Sequence, residues 1–134
     1  FYICFADLNN LKPVNDNLGH DAGDRYLAAV AHALEEAAGA DDIVSRYGGD
    51  EFLLMTAEDG IERVKAGIKN AQWALKELSN SSEYPFELWV SYGIAYSGEC
   101  RDMEELMRLA DDRMYENKRR DKQERSGGKA AGGG

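Results

Sequence analysis

The spacing of apolar positions divides the chain into short segments of two periods. Phe1–Leu8 is apolar and β-prone and carries a carboxylate, Asp7, at its end. A continuous apolar run of this length predicts a central strand buried on both faces. Asn9–Asn17 is rich in asparagine and contains Pro13, which predicts a loop or a short irregular helix. Gly19–Asp24 reads as a second polar loop. Tyr26, Leu27, Val30, Ala31 and Leu34 then recur at helical spacing, so a helix is expected from Gly23 to Ala38, closed by Gly39. Ile43–Val44 and Phe52–Met55 flank Arg46-Tyr47-Gly48-Gly49-Asp50-Glu51. Two strand-like runs around a Gly-Gly-Asp turn predict a hairpin, with glycine supplying the positive φ of a tight turn. Ile61, Val64, Ile68, Ala71, Leu75 and Leu78 step by three and four, giving one long helix that stops before Asn80.

Phe86–Tyr96 alternates. Leu88, Val90, Tyr92, Ile94 and Tyr96 share one face, and Ser91, Gly93 and Ala95 the other. This predicts a long strand with something packed close on its small-residue face. A last helix is expected over Asp102–Arg120, with a Gly/Ala-rich, disordered tail over 123–134. The resulting βαββαβ order predicts an α+β, ferredoxin-like (palm-like) antiparallel sheet flanked by helices, plus a C-terminal helix. In that topology the first strand lies beside the hairpin, which brings Asp7 near Asp50.

With 134 residues, the chain fits one domain with one core, here 1–122. Its net charge of −9 argues against DNA, RNA or an anionic membrane surface as partner. A single nucleotide delivered with its metal is not excluded. Cys4 and Cys100 are far apart and form neither a disulfide framework nor a zinc site, so a cytoplasmic setting is expected. No signal peptide or membrane-spanning run is present in the sequence. The chain begins inside an apolar stretch, which suggests a piece of a longer protein.

The chemistry concentrates at the hairpin. A generic Gly-Gly-Asp turn is most simply a turn tipped with solvated acids. Here, however, missing Cβ atoms at Gly48 and Gly49 would let a ligand lie on the backbone. Asp50 and Glu51 offer hard oxygens suited to Mg²⁺ carrying a phosphate. Asp7 and Asp50, on neighbouring strand ends, would repel unless a cation sits between them. Asp24 could simply cap the following helix. Lys118 and Lys122 lie four apart on the last helix, where a basic end also suits a helix C-terminus.

The intact Gly48-Gly49-Asp50-Glu51-Phe52 stretch resembles the signature of the GGDEF family, the diguanylate cyclases. Asn15-Asp16-Asn17-Leu18-Gly19-His20-Asp21-Ala22-Gly23-Asp24 resembles the family's ND-x-x-GH-x-x-GD stretch at every named position, and the likeness spans Phe1 to Lys122. The resemblance implies condensation of two GTP into cyclic di-GMP with release of pyrophosphate. It implies Mg²⁺ (or Mn²⁺) on Asp7, Asp50 and the Leu8 carbonyl, with Asn15 and Asp24 on the guanine edge. Gly48 and Gly49 are implied beneath the substrate, and Lys12, Lys118 and Lys122 on phosphates. Asp50, Glu51 and Lys12 are the catalytic residues on this reading, and Glu51 serves either deprotonation or substrate holding. Asp16 and His20 take structural roles. Two nucleotides must face each other, so the active form is a homodimer. The resemblance also implies an N-terminal segment that helps cover the sheet, and an upstream sensory domain, which could make this the cytoplasmic part of a membrane-anchored receptor.

The sequence departs from the family pattern at several places. Asn9 stands where a second acid is common, Leu11 where phenylalanine is common, and Lys122 where arginine is usual, so a bidentate fork is replaced by a point charge. A final strand after Lys122 is not recognisable. Two other readings compete: a catalytically silent GTP- or cyclic di-GMP-binding module, and a purely structural dimerisation domain. Intact signature acids disfavour the first, and the second leaves the Gly-Gly-Asp-Glu turn without a reason. The family's product-inhibition motif, R-x-x-D, reads Gly39-Ala40-Asp41-Asp42 here, with the aspartate but not the arginine. No strong inhibition by cyclic di-GMP is therefore expected at that place. Micromolar binding, measured by calorimetry, that vanishes on Asp42→Ala would overturn this.

Overall fold

A computed structural model describes the backbone of residues 1–133 and the side chains of 1–123; the last helix, expected to end at Arg120, runs on to Gly133, and residue 134 of the expected tail lies outside the described residues. The elements run β1 (Tyr2–Asn9), α1 (Leu11–Leu18), α2 (His20–Ala37), β2 (Ile43–Arg46), β3 (Glu51–Thr56), α3 (Ile61–Leu78), β4 (Trp89–Tyr96) and α4 (Met103–Gly133). The four strands form one antiparallel sheet in the order β2-β3-β1-β4. This is the α+β, palm-like sheet that the element order predicts.

Alternation along β1 sends successive side chains to opposite faces, and each face has its own helical cover. Cys4, Ala6 and Leu8 pack with Val14, Tyr26, Val30, Leu34, Val64 and Ile68 of α1, α2 and α3. Ile3 and Phe5, with Ala95, pack beneath Leu106, Ala110 and Met114 of α4. Each large aliphatic side chain buried this way contributes about 1.5–3 kcal/mol relative to exposure. No helix among the described residues is long and apolar enough to cross a membrane.

The first polar stretch takes the short-helix alternative, and the second is no loop but the start of a helix. Asn10 takes a left-handed conformation (φ 65°) that ends β1, and α1 follows at once. Pro13 sits in the first turn of α1, where no intrahelical partner is lost. Gly19, at φ 92°, separates α1 from α2, which begins at His20 rather than Gly23. Asp24 therefore lies inside α2 and does not cap it. The last strand begins at Trp89, not Phe86, because the Leu88 N–H donates to Ser79 Oγ at 2.7 Å and the preceding residues form a loop.

The small-residue face of β4 lies directly under α4. A Cβ on Gly93 would stand 2.1 Å from the Met114 nitrogen and 2.4 Å from the Ala110 oxygen. Both atoms are backbone, so only helix displacement could make room. Gly93→Ala should accordingly destabilise the protein by at least about 1–3 kcal/mol, the scale of core overpacking. Urea unfolding measures it, and an unchanged midpoint would contradict this packing.

Candidate functional site

The register of β1 builds the site. Asp7 lies opposite Glu51 on one side and Ser91 on the other. One residue further, the Leu8 N–H donates to the Asp50 carbonyl at 2.9 Å, so the hairpin turn is stitched to the end of β1. Carboxylate oxygens of Asp7, Asp50 and Glu51 lie within 4.8 Å of one another. Asp7 is only 5% exposed. Its Oδ2 accepts from Lys118 Nζ at 2.7 Å, while Oδ1 is buried without a partner.

Electrostatics follow from this arrangement. Burial is the main cause that pushes the Asp7 carboxyl up to about 6; Lys118 pulls it down, and Asp50 adds to the rise. Glu51 is likewise raised, first by burial and then by Asp111 and Asp50. Three acids meet one ammonium group, which leaves the cluster short of positive charge. A buried carboxylate oxygen without a donor, beside two more carboxylates, fits a divalent ion with a preference for hard oxygen ligands, such as Mg²⁺ or Mn²⁺.

The turn that carries Asp50 is held from within. Both the Tyr47 and Gly48 N–H groups donate to the Glu51 carbonyl, at 2.9 and 3.3 Å. Arg46 donates from Nε to the Gly48 carbonyl at 3.2 Å and from Nη2 to the Gly49 carbonyl at 2.7 Å. Tyr47 rests edge-on against Phe5, with ring centroids 5.1 Å apart. Contrary to the hairpin expectation, neither glycine has a positive φ. A Cβ on Gly49 would meet nothing within 4 Å, and one on Gly48 only the Glu51 side chain at ordinary contact distance. The backbone at this tip is open.

Some of the predicted residues line one of two clefts, while Asp7, Asn15, Gly48, Gly49 and Glu51 line neither of them. One, of about 520 Å³, is lined by Leu8, Lys12, Asp50, Lys118 and Lys122 among others. Lys12 is exposed on α1 and donates to Asp16 at 2.9 Å. The other, about 500 Å³, lies between α2 and the hairpin, and Asp24, Arg46 and Phe52 line it. Asn15 is half-buried over Gly23, where a Cβ would fall 1.7 Å from its Oδ1. Gly23 thus lets α1 and α2 close, with the Asn15 side chain against Gly23. Among the described residues, no hydrogen bond or ion pair joins Asn15 or Asp24 to the acid cluster.

Sequence reasoning missed Arg46, although it adjoins the turn it braces. It also missed Tyr26, whose hydroxyl reaches the carbonyls of Asn9 and Trp89 at 2.9 and 2.8 Å and ties the strand ends to α2. At Asp42 it missed a cation from α3. Arg63 Nη2 donates to Asp42 Oδ2 at 2.8 Å, joined by the Gly39 N–H and the Thr56 hydroxyl. Burial acts to raise the Asp42 carboxyl, but these donors outweigh it and hold the group below its ordinary value. Arg63 also fills the space beside Gly39, where a Cβ would stand 2.6 Å from its Nη2.

Comparison with known proteins places this geometry in a family. Residues 1–124 match the family model described as "Diguanylate cyclase, GGDEF domain". The chain is 34% identical over 119 residues to the probable diguanylate cyclase DgcI of Escherichia coli, covering 88% of this chain and 25% of that protein. It is also 34% identical over 112 residues to the cyclic di-GMP phosphodiesterase PdeB of Shewanella oneidensis, covering 81% of this chain and 13% of that protein. The fold matches the GGDEF domain of PA1120 (YfiN or TpbB) from Pseudomonas aeruginosa, with a TM-score of 0.72, 29% identity, and coverage of 89% and 76% of the two chains. The chain thus spans a quarter or less of these two full-length relatives, and it belongs to the GGDEF, or diguanylate cyclase, domain family.

Proposed function

We propose that this domain is an active diguanylate cyclase, which condenses two GTP into cyclic di-GMP and two pyrophosphates. The observation that carries the reading is the acid cluster: Asp7, Asp50 and Glu51 within 4.8 Å, with the buried Asp7 Oδ1 lacking a donor. Asp7, Asp50 and the Leu8 carbonyl would hold the divalent ion. When bound, such an ion neutralises triphosphate charge and lowers the pKa of a nearby hydroxyl.

The protein's own groups supply positioning, which dominates phosphoryl-transfer catalysis. Lys12, Lys118 and Lys122 line one cleft and suit the phosphates. Gly48 and Gly49 present open backbone on which the nucleotide can lie. Asp24 accepts hydrogen bonds from the guanine N1–H and amino group, with Asn15 as the second contact to the guanine edge. Adenine offers no such donor pair, so a site built this way rejects ATP. In the reaction each 3′-oxygen forms a bond to the α-phosphorus of the other nucleotide, the bond to pyrophosphate breaks, and the hydroxyl proton leaves. Glu51, a carboxylate held above its ordinary value, is placed to assist that proton or to hold substrate. One chain supplies one such set of groups, so the active form is a homodimer with the nucleotides facing each other. GTP as substrate implies a cytoplasmic setting, and relatives several times longer imply an upstream sensory domain.

The similarity to part of a phosphodiesterase gives weight to a second reading, a silent GTP- or cyclic di-GMP-binding module. Incubation with GTP and Mg²⁺, followed by chromatography, separates the two. Product formation supports the cyclase, and nucleotide binding without product supports the silent module. Asp50→Ala removes a carboxylate while keeping the carbonyl that pairs with Leu8. Turnover should fall by at least about 100-fold, the scale of losing one preorganised electrostatic group, with the circular dichroism spectrum unchanged. Wild-type rates in that variant would refute the assignment.

The Asp7 carboxyl gives a pH prediction for the metal-free protein. Its folded value, about 6, exceeds the ordinary 3.8, so the folded state binds this proton more tightly than the unfolded state. The group's contribution to stability is therefore full below about pH 4 and declines as pH rises through 6. Asp7→Asn has no such decline. The stability of Asp7→Asn relative to wild type should grow between pH 4 and pH 7.5, read from urea midpoints without metal. A difference that stays flat or shrinks would show that Asp7 is not a strained acid.

A further inference from the structure

The apolar hold on α4 stops early. Leu106, Ala110 and Met114 pack on the sheet, but the next inward positions are Asn117, Lys118 and Asp121. From Asn117 onward, the side-chain ties between this helix and the sheet among the described residues are polar. Arg113, Asn117 and Asp121, at four-residue intervals, form a polar stripe along β4. Arg113 Nη1 donates to the Ile94 carbonyl at 2.8 Å, and Asn117 Nδ2 to the Tyr92 carbonyl at 2.7 Å. At Asp121, Oδ2 accepts from Ser91 Oγ at 2.8 Å and from Trp89 Nε1 at 3.0 Å. Ser91 is fully buried and faces Asp7 across the β1–β4 ladder.

Lys118 and Lys122 each follow a member of this stripe by one residue. Lys118 now holds the helix to the sheet through Asp7, yet on the cyclase reading it must give up that ion pair to meet phosphate. Asn117 and Asp121 are then the ties left beyond Met114 among the described residues. Charge-assisted hydrogen bonds to a carboxylate are about twice as strong as neutral ones, which makes the Asp121 tie the stronger of the two.

We propose that Asp121 is a positioning residue. Anchored by Ser91 and Trp89, it fixes the end of α4 against β4, so that Lys118 and Lys122 stay aimed into the phosphate cleft when Lys118 leaves Asp7. The inference rests on the cyclase reading for the role of the lysines, but the clamp itself stands on geometry alone. Because the lysines address the triphosphate and not the base, loosening the clamp weakens phosphate recognition while leaving guanine recognition intact.

The test compares wild type, Asp121→Ala and Asp121→Asn, the last keeping an acceptor oxygen for both donors. In Asp121→Ala, KM for GTP should rise about tenfold, which is 1.4 kcal/mol, with kcat changed by less than about threefold; Asp121→Asn should restore most of the loss. In calorimetry, Asp121→Ala should weaken GTP binding and leave GMP binding unchanged. Equal losses for GTP and GMP, or a loss in kcat alone, would overturn the positioning role. Amide hydrogen exchange over residues 117–122 reads the clamp independently of nucleotide. Faster exchange there in Asp121→Ala, with wild-type protection in Asp121→Asn, supports the clamp, and equal protection in all three proteins overturns it. A wild type that neither binds nor turns over GTP would refute the cyclase reading and the role of the lysines with it, and the exchange data would still decide the clamp.

Discussion

A carboxylate that is 5% exposed costs free energy unless its oxygens are paired, and at Asp7 only one of two is paired. The sheet sustains this cost because β1 is fixed by alternation. Ile3 and Phe5 fill the α4 side, while Cys4, Ala6 and Leu8 fill the side of α1, α2 and α3. A slip of one residue would exchange every side chain between faces. It would drive Asp7 into an apolar core and put Leu8 at the acid cluster. Register also sets the neighbours, since Glu51 is opposite Asp7 and the Leu8 N–H holds the Asp50 carbonyl. The acids converge because the apolar residues of β1 leave the strand no other alignment.

Overall charge and local charge act differently here. A net charge of −9 disfavours extended polyanions, whose many phosphates sample the whole surface. On the cyclase reading, a single triphosphate would sample only one cleft, where Lys12, Lys118 and Lys122 line the walls. The acids stand at the other side of that arrangement, and with a divalent ion they would become part of the positive wall. Lys118 bridges the two regimes, since it neutralises Asp7 while lining the same cleft as the other lysines.

Much of this was legible in the sequence because it depends on period and burial. The stripe from Ile61 to Leu78 gave the bounds of α3 to the residue, and the small residues of β4 announced the close approach of α4. Asp7 and Asp50 could be paired because a ferredoxin-like order places β1 beside the hairpin. Elements set by particular hydrogen bonds were not legible. For the Asn-rich residues 11–18 the sequence left a loop and a short irregular helix both open, and the helix forms because Asn10 turns left-handed and Pro13 falls in a first turn. Asp121 lies in a run of alternating charges, and only the fold reveals that its partners are a buried serine and a tryptophan thirty residues earlier. Arg63 was invisible for the same reason, because the cation that satisfies Asp42 comes from another helix.

The glycines fall into those the fold itself requires and those it does not. At Gly93 and Gly23 a Cβ would collide with atoms of the chain itself, so the fold alone requires glycine there. At Gly48 and Gly49 no positive φ demands glycine, and a Cβ would find open space or ordinary contact. Arg46 and the Glu51 carbonyl already fix the shape of the turn, so flexibility is not the reason either. Glycine weakens a folded chain through its entropy in the unfolded state, and two in succession at a braced hairpin tip have no internal compensation. A reason must come from outside the chain, from something that lies against the bare backbone beside Asp50. On the cyclase reading, that something would be the nucleotide, and the sheet beneath the turn would serve to hold it still.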